Sequence, residues 1–204
     1  MPLILSCFIS GLISFLISIY LKRKYENYSL TNINIITIII LAILFNLILN
    51  SNSHINNELI TNDSSFSFVV VPLLFTIVAG CLASSFLIDV LFKELPDENN
   101  LLLGVSLFII SLLTLSYKVI FTAIILFIVF FALSVITNQF GMGDVKLMTA
   151  MGLGFYMDNI LRFVYLSFLF ASIYILIKII CKKRKVNTLA FGPFLIIGFL
   201  VIMF

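Results

Sequence analysis

The chain has 204 residues; 62% are hydrophobic and only 10% charged, with 12 basic against 9 acidic residues for a net charge of +3. Soluble domains carry about 25% charged residues, and at this size surface-to-volume scaling leaves no way to hide so much apolar surface from water. A soluble fold is therefore excluded. So is a membrane β-barrel, whose strands alternate apolar and polar residues, because runs such as 119–136 do not alternate. Within lipid each segment satisfies its own backbone as a helix. The expected fold is all-α: a polytopic membrane protein of about eight transmembrane helices forming one domain, 1–204.

A span needs about 20 apolar residues. The first is expected at 2–20. It starts Met-Pro-Leu-Ile-Leu with no basic stretch ahead of it, which predicts a retained span and not a cleaved signal peptide. Lys22-Arg23-Lys24 follows, in a short connection at 21–32. Further spans are expected at 33–49, 66–88, 101–117, 119–137, 145–157, 161–181 and 188–204. The sixth is short and contains Gly152 and Gly154; a tilted, re-entrant or seventh-continuous segment are all compatible with it. The longest polar connection, 50–65, holds the only histidine, His54, for which no role is expected. No internal repeat or interdomain linker is visible.

Basic residues mark the cytoplasmic side of spans. With 21–32 cytoplasmic and eight crossings, Lys22, Arg23, Lys24, Lys93, Lys146, Lys178, Lys182, Lys183, Arg184 and Lys185 fall inside, and only Lys118 and Arg162 outside. Both termini then lie outside. Losing the sixth crossing would carry the second basic cluster outside, so the charges favour keeping it. The clusters read as topology markers beside a lipid bilayer, with no nucleic acid as partner. Cys7, Cys81 and Cys181 form no Cys-x-x-Cys, so no metal site is expected, and no cofactor.

Two acids stand out. Asp89 follows the third apolar run and Asp144 follows the fifth, in Phe-Gly-Met-Gly-Asp-Val-Lys-Leu-Met. Ionisable residues at membrane depth are costly and mark function by default. Spans three and five run in the same direction, so their ends reach one depth and the two acids can face each other. Two carboxyls at close range share a proton, and such a pair can activate water and protonate a leaving amine. Gly141 and Gly143 suit an irregular backbone that a peptide can approach closely. On spacing alone, Asn138 to Gly143 reads equally as a helix-breaking loop with Asp144 as an N-cap, and Asp89 equally as an interfacial residue.

The stretch Gly141-Met142-Gly143-Asp144-Val145-Lys146-Leu147, continuing Met148-Thr149-Ala150-Met151-Gly152, resembles the signature of type IV prepilin peptidases, which are Gly-x-Gly-Asp intramembrane aspartic proteases. Asp89 with Pro96 and Asp97 seven and eight positions on resembles the family's first aspartate motif. Phe191-Gly192-Pro193-Phe194-Leu195 resembles a third element, and Gly11 with Ser14-Phe15-Leu16 is similar to the first helix. The resemblance covers about 66–204 well and the first 65 residues weakly. It implies that Asp89 and Asp144 are catalytic. The expected substrates are prepilin-like precursors carrying a basic leader, a cleavage-point glycine and a hydrophobic helix. Cleavage is expected on the cytoplasmic face of the cell membrane. Longer bacterial members carry a cysteine-rich cytoplasmic insert after span one, associated with N-methylation. The cysteine-free connection 21–32 stands in its place, so a peptidase without methyltransferase activity is expected. An archaeal-type preflagellin peptidase is a related reading.

Among the remaining residues, Lys146 suits an electrostatic bias on the acid pair, a contact with the substrate backbone, or a lysine snorkelling to water. Lys93 reads as a topology marker and Asp97 as an N-cap. Pro96 fixes the turn into span four, and Phe191-Gly192-Pro193 reads as a groove wall or a plain helix start. The 22 phenylalanines are assigned to lipid-facing and packing surface. Ser10, Ser84 and Ser85 lack a histidine base. Two other classes compete with the protease: a proton- or cation-coupled transporter using the same aspartates, and a non-enzymatic scaffold subunit. The transporter predicts acids near mid-span in symmetric broken helices, which the sequence does not show.

Overall fold

A computed structural model describes residues 3–24, 32–51, 65–114, 118–137, 140–182 and 189–203. The expectations for His54, for the second basic cluster at Lys183, Arg184 and Lys185, for Asn138, and for most of the connections 21–32 and 50–65 lie outside the described residues. Among the described residues there are eight α-helices and no strand: α1 (Leu3–Lys24), α2 (Asn32–Ser51), α3 (Ser65–Phe92), α4 (Asp97–Thr114), α5 (Lys118–Thr137), α6 (Met142–Gly152), α7 (Ile160–Lys182) and α8 (Gly192–Met203). The protein is an all-α membrane protein. Each helix overlaps one expected apolar run.

Four segments are long and apolar enough to cross a bilayer: Ser6–Arg23, Val70–Phe92, Lys118–Thr137 and Met157–Cys181. They belong to α1, α3, α5 and α7. The apolar parts of α2 (Asn34–Leu49) and α8 are shorter. The helix expected at 145–157 is corrected. α6 has 11 residues, about 16 Å of helix, or roughly half the hydrocarbon core. It stops at Gly152, where the Leu153 N–H bonds Ala150 O at 3.2 Å and the Gly154 N–H bonds Met151 O at 2.8 Å. One 3-10 turn, Met157–Asn159, then leads into α7.

α3 is the centre of the assembly and packs against α1, α2, α4 and α8, while α6 packs on α5 and α4. Val78, Ala79 and Leu82 of α3 are fully buried among Ile38 and Ala42 of α2, Leu103 and Leu107 of α4, Leu147 and Met151 of α6, and Leu195 and Phe199 of α8. On α1 the face turned inward is a serine stripe with a four-residue period: Ser6, Ser10, Ser14 and Ser18, all buried. Small residues let helices approach closely where lipid offers no hydrophobic drive to associate. Three of the hydroxyls bond within the helix, Ser10 donating to Cys7 O at 2.9 Å, Ser14 to Gly11 O at 2.8 Å and Ser18 to Ser14 O at 2.7 Å, while Ser6 Oγ accepts from Asn46 Nδ2 of α2 at 3.2 Å. α7 is the outlying helix, packed chiefly on α8.

Candidate active site

Asp89 lies one turn before the end of α3 and is only 4% exposed. The helix ends because Lys93 adopts a left-handed backbone, φ 57°, while its N–H still reaches Asp89 O at 2.9 Å. This is the conformation that usually falls to glycine after a helix C-terminus. Lys93 is thus a strained turn residue as well as a candidate topology marker. Four residues later the chain re-enters helix. Pro96 is buried and its carbonyl accepts the first bond of α4, from the Asn100 N–H at 3.2 Å. Pro96 therefore holds the capping position, and the expectation that Asp97 is the N-cap is corrected: Asp97 is the first helical residue. Its Oδ1 instead accepts from Lys146 Nζ of α6 at 2.8 Å, an exposed ion pair across the site's rim. This ion pair gives Lys146 a partner outside the acid pair.

Asp144 sits in the first turn of α6, where the helix N-terminus favours a negative group. The N-cap is Gly141, whose carbonyl accepts from the N–H groups of Asp144 at 3.1 Å and Val145 at 3.3 Å. The reading of Asp144 as an N-cap is corrected accordingly. The reason for the flanking glycines also changes. Gly141 is extended, φ −67° and ψ 137°, and no described glycine has positive φ. They provide room and not an unusual backbone: a Cβ on Gly143 would come within 3.1 Å of Leu95 Cβ.

These pieces meet. Asp89, Asp144, Gly141, Gly143, Lys146 and Pro96 all line one cavity of about 470 Å³, together with Lys93, Glu94, Leu95, Asp97, Glu98 and Met142. A second space, about 970 Å³, also contains Asp89 and Asp144. It extends between Leu133 and Thr137 of α5 and Phe168, Ala171, Ser172 and Ile175 of α7, with Phe140, Leu189, Ala190 and Phe191 among its lining. The two carboxyls stand at the junction of both, close enough for the charge of Asp89 to act on Asp144. The Gly192 backbone N–H faces the Asp89 carboxyl, yet Asp89 Oδ2 has no hydrogen-bond partner among the described residues. Gly192 itself leaves no slack, since a Cβ there would lie 2.6 Å from Asp89 Oδ2.

Two residues that sequence reasoning passed over tie the acids' elements together. Asn99 Nδ2 contacts Cys81 O at 2.9 Å, Ser84 Oγ at 3.0 Å and Ser85 Oγ at 2.6 Å, fixing α4 to the last turns of α3. The next residue, Asn100, reaches Gly143 O at 3.5 Å, beside Asp144. The signal was present: two adjacent amides at the head of an apolar helix are polar groups that need buried partners. Ser84 and Ser85 accept these bonds and so help to hold Asn99 in place. Phenylalanine does more than fill space, because Phe130, Phe140, Phe191 and Phe168 form a continuous row with ring centroids 5.1–5.5 Å apart. That row joins α5 to α7 and passes through Phe191, the residue read as a groove wall. Among the described residues no group of three or more His, Cys, Asp or Glu is arranged to hold a metal.

Neither the curated proteins nor the solved structures contain a match to this chain. The sequence model of the type IV leader peptidase family matches residues 73–176, which is half of the chain. The match takes in Asp89, the turn at Pro96 and the whole of α6, and it stops before Phe191 and Gly192. With the acids brought to one cavity inside a helical membrane protein, that match makes the chain a member of the type IV leader peptidase family: a peptidase of precursor proteins.

Proposed function

We propose that the protein is an intramembrane aspartic endopeptidase in which Asp89 and Asp144 act as one catalytic pair, removing basic leaders from prepilin-like precursors. The observation that carries this reading is that both carboxyls line the same two cavities, although 55 positions separate them in the chain. Two carboxyls that share a proton supply both halves of amide hydrolysis. The charged one takes a proton from water as its oxygen attacks the scissile carbonyl. The protonated one gives its proton to the leaving nitrogen as the C–N bond breaks. Asp89 Oδ2, buried without a hydrogen-bond partner among the described residues, is available to hold that water. Gly192 and Gly143 keep side chains out of the space a peptide backbone must enter.

Charge supports a site on the cytoplasmic face of the cell membrane, because Lys22, Arg23, Lys24, Lys93 and Lys146 then share the side of both acids and Lys118 lies opposite. The connection 21–32 has no cysteine, which supports a peptidase without N-methyltransferase activity. The test uses purified protein in detergent with a precursor bearing a basic leader, a junction glycine and an apolar helix. Wild type is expected to cut at the junction, and D89N and D144N to leave the precursor intact. Cleavage persisting in both variants would refute the pair. Methyl transfer from S-adenosylmethionine to the trimmed product would refute the peptidase-only reading.

A further inference from the structure

We infer that the gap between α5 and α7 is the lateral door of the site: the apolar helix of a precursor enters it from lipid and lodges there, while the basic leader lies in the acidic cavity beyond the carboxyls. This rests on the protease reading and adds to it the route and the subsites.

Among the described residues α5 and α7 make at most glancing contact with each other, which leaves the gap open; α5 is held by α6, and α7 by α8. Its walls are mostly apolar, with Leu133 40% and Phe168 43% exposed and only Thr137 and Ser172 polar on the two helices. Its floor is the aromatic row through Phe140 and Phe191. The size suits one occupant. A helix about 10 Å across rising about 5.4 Å per turn fills roughly 420 Å³ per turn, so the space of about 970 Å³ admits about two turns.

The other end supplies charge complementarity. The cavity of about 470 Å³ is lined by five acids, Glu94, Asp97 and Glu98 with the two aspartates, against Lys93 and Lys146. An acidic surround suits a basic segment. The two spaces meet at the carboxyls, with Lys93 and Gly141 beside them, and Asp89 Oδ2 is buried there with no hydrogen-bond partner among the described residues. A chain that is helical in the groove and extended in the acidic cavity would therefore place its junction at the acids. A rival groove of about 350 Å³ lies on the other flank of α7, beside Val90 and Phe194, and neither carboxyl lines it.

The test closes the door reversibly. Leu133→Cys and Ser172→Cys are introduced in a chain with Cys7 and Cys181 replaced by serine, and the pair is bridged by a reducible bifunctional thiol reagent. The expected result is loss of precursor cleavage in the bridged protein and its return on reduction. Cleavage at the same rate in both forms would overturn the route alone. Absence of cleavage in the reduced form, where wild type is also inactive, would overturn the protease reading itself. A second measurement is independent of catalysis: in D89N, a photoreactive side chain at Ile175 is expected to capture the precursor. Capture from Val90 and not from Ile175 would overturn the assignment of the groove.

Discussion

At Gly192 the missing side chain is a requirement of Asp89. A methyl group there would meet Asp89 Oδ2 at 2.6 Å, well inside van der Waals contact, so the carboxyl must turn away. Misplacement of a catalytic group by about 1 Å can cost on the order of 100-fold in rate. Gly192→Ala is accordingly expected to lower cleavage by about that factor while the thermal midpoint in detergent stays near wild type. Equal losses of stability and activity would mean that the residue serves packing only. Lys93 is the opposite case, a side chain where glycine would be easier. A left-handed non-glycine residue costs about 1–2 kcal/mol, so Lys93→Gly is expected to raise stability by about 1 kcal/mol, read as a higher unfolding midpoint. The sequence offered no sign of this turn, because backbone strain is set by how α3 hands over to α4 and not by local composition.

At the scale of elements, the apolar runs made all eight helices legible, since in lipid a long apolar run has one stable conformation. Their ends were less legible. The short sixth run was visible as an anomaly, but its stop at Gly152 depends on α5. A Cβ at Gly152 would lie 3.0 Å from Ala123 Cα and 2.9 Å from Leu126 Cδ1. Alanine is the better helix former by about 1 kcal/mol, yet overpacking against backbone costs about 1–3 kcal/mol. The packing effect wins, and Gly152→Ala is expected to lower the unfolding midpoint; a rise would contradict the close approach of α5 and α6. The Asn99 clamp was likewise out of reach, because its partners Cys81, Ser84 and Ser85 lie a helix away. Asn99→Ala strips those contacts and is expected to destabilise the fold by about 1–3 kcal/mol, again read by thermal unfolding. An unchanged midpoint would show that α4 is held by its apolar face alone. By contrast the Lys146–Asp97 pair is exposed at 45% and 66%, and such pairs contribute about 0–1 kcal/mol.

For the whole molecule, the candidate acids were legible in the sequence. Asp89 and Asp144 each follow an apolar run, and matched span direction placed them at one depth. What sequence could not supply was the division of space around them into a polar cavity and an apolar groove, which arises from α7 standing apart from α5. A shared catalytic pair also implies a rate that rises and falls with pH, because an acid pair works only while one carboxyl is charged and the other protonated. A cleavage rate flat across the acidic and neutral range would argue against the pair. The most direct test is a double-mutant cycle on the rate of precursor cleavage, with D89N, D144N and the double variant measured beside wild type. Residues that act as one unit are grossly non-additive, so the double variant is expected to be no slower than either single one. Losses that multiply, or a single variant that keeps its rate, would contradict a shared catalytic pair.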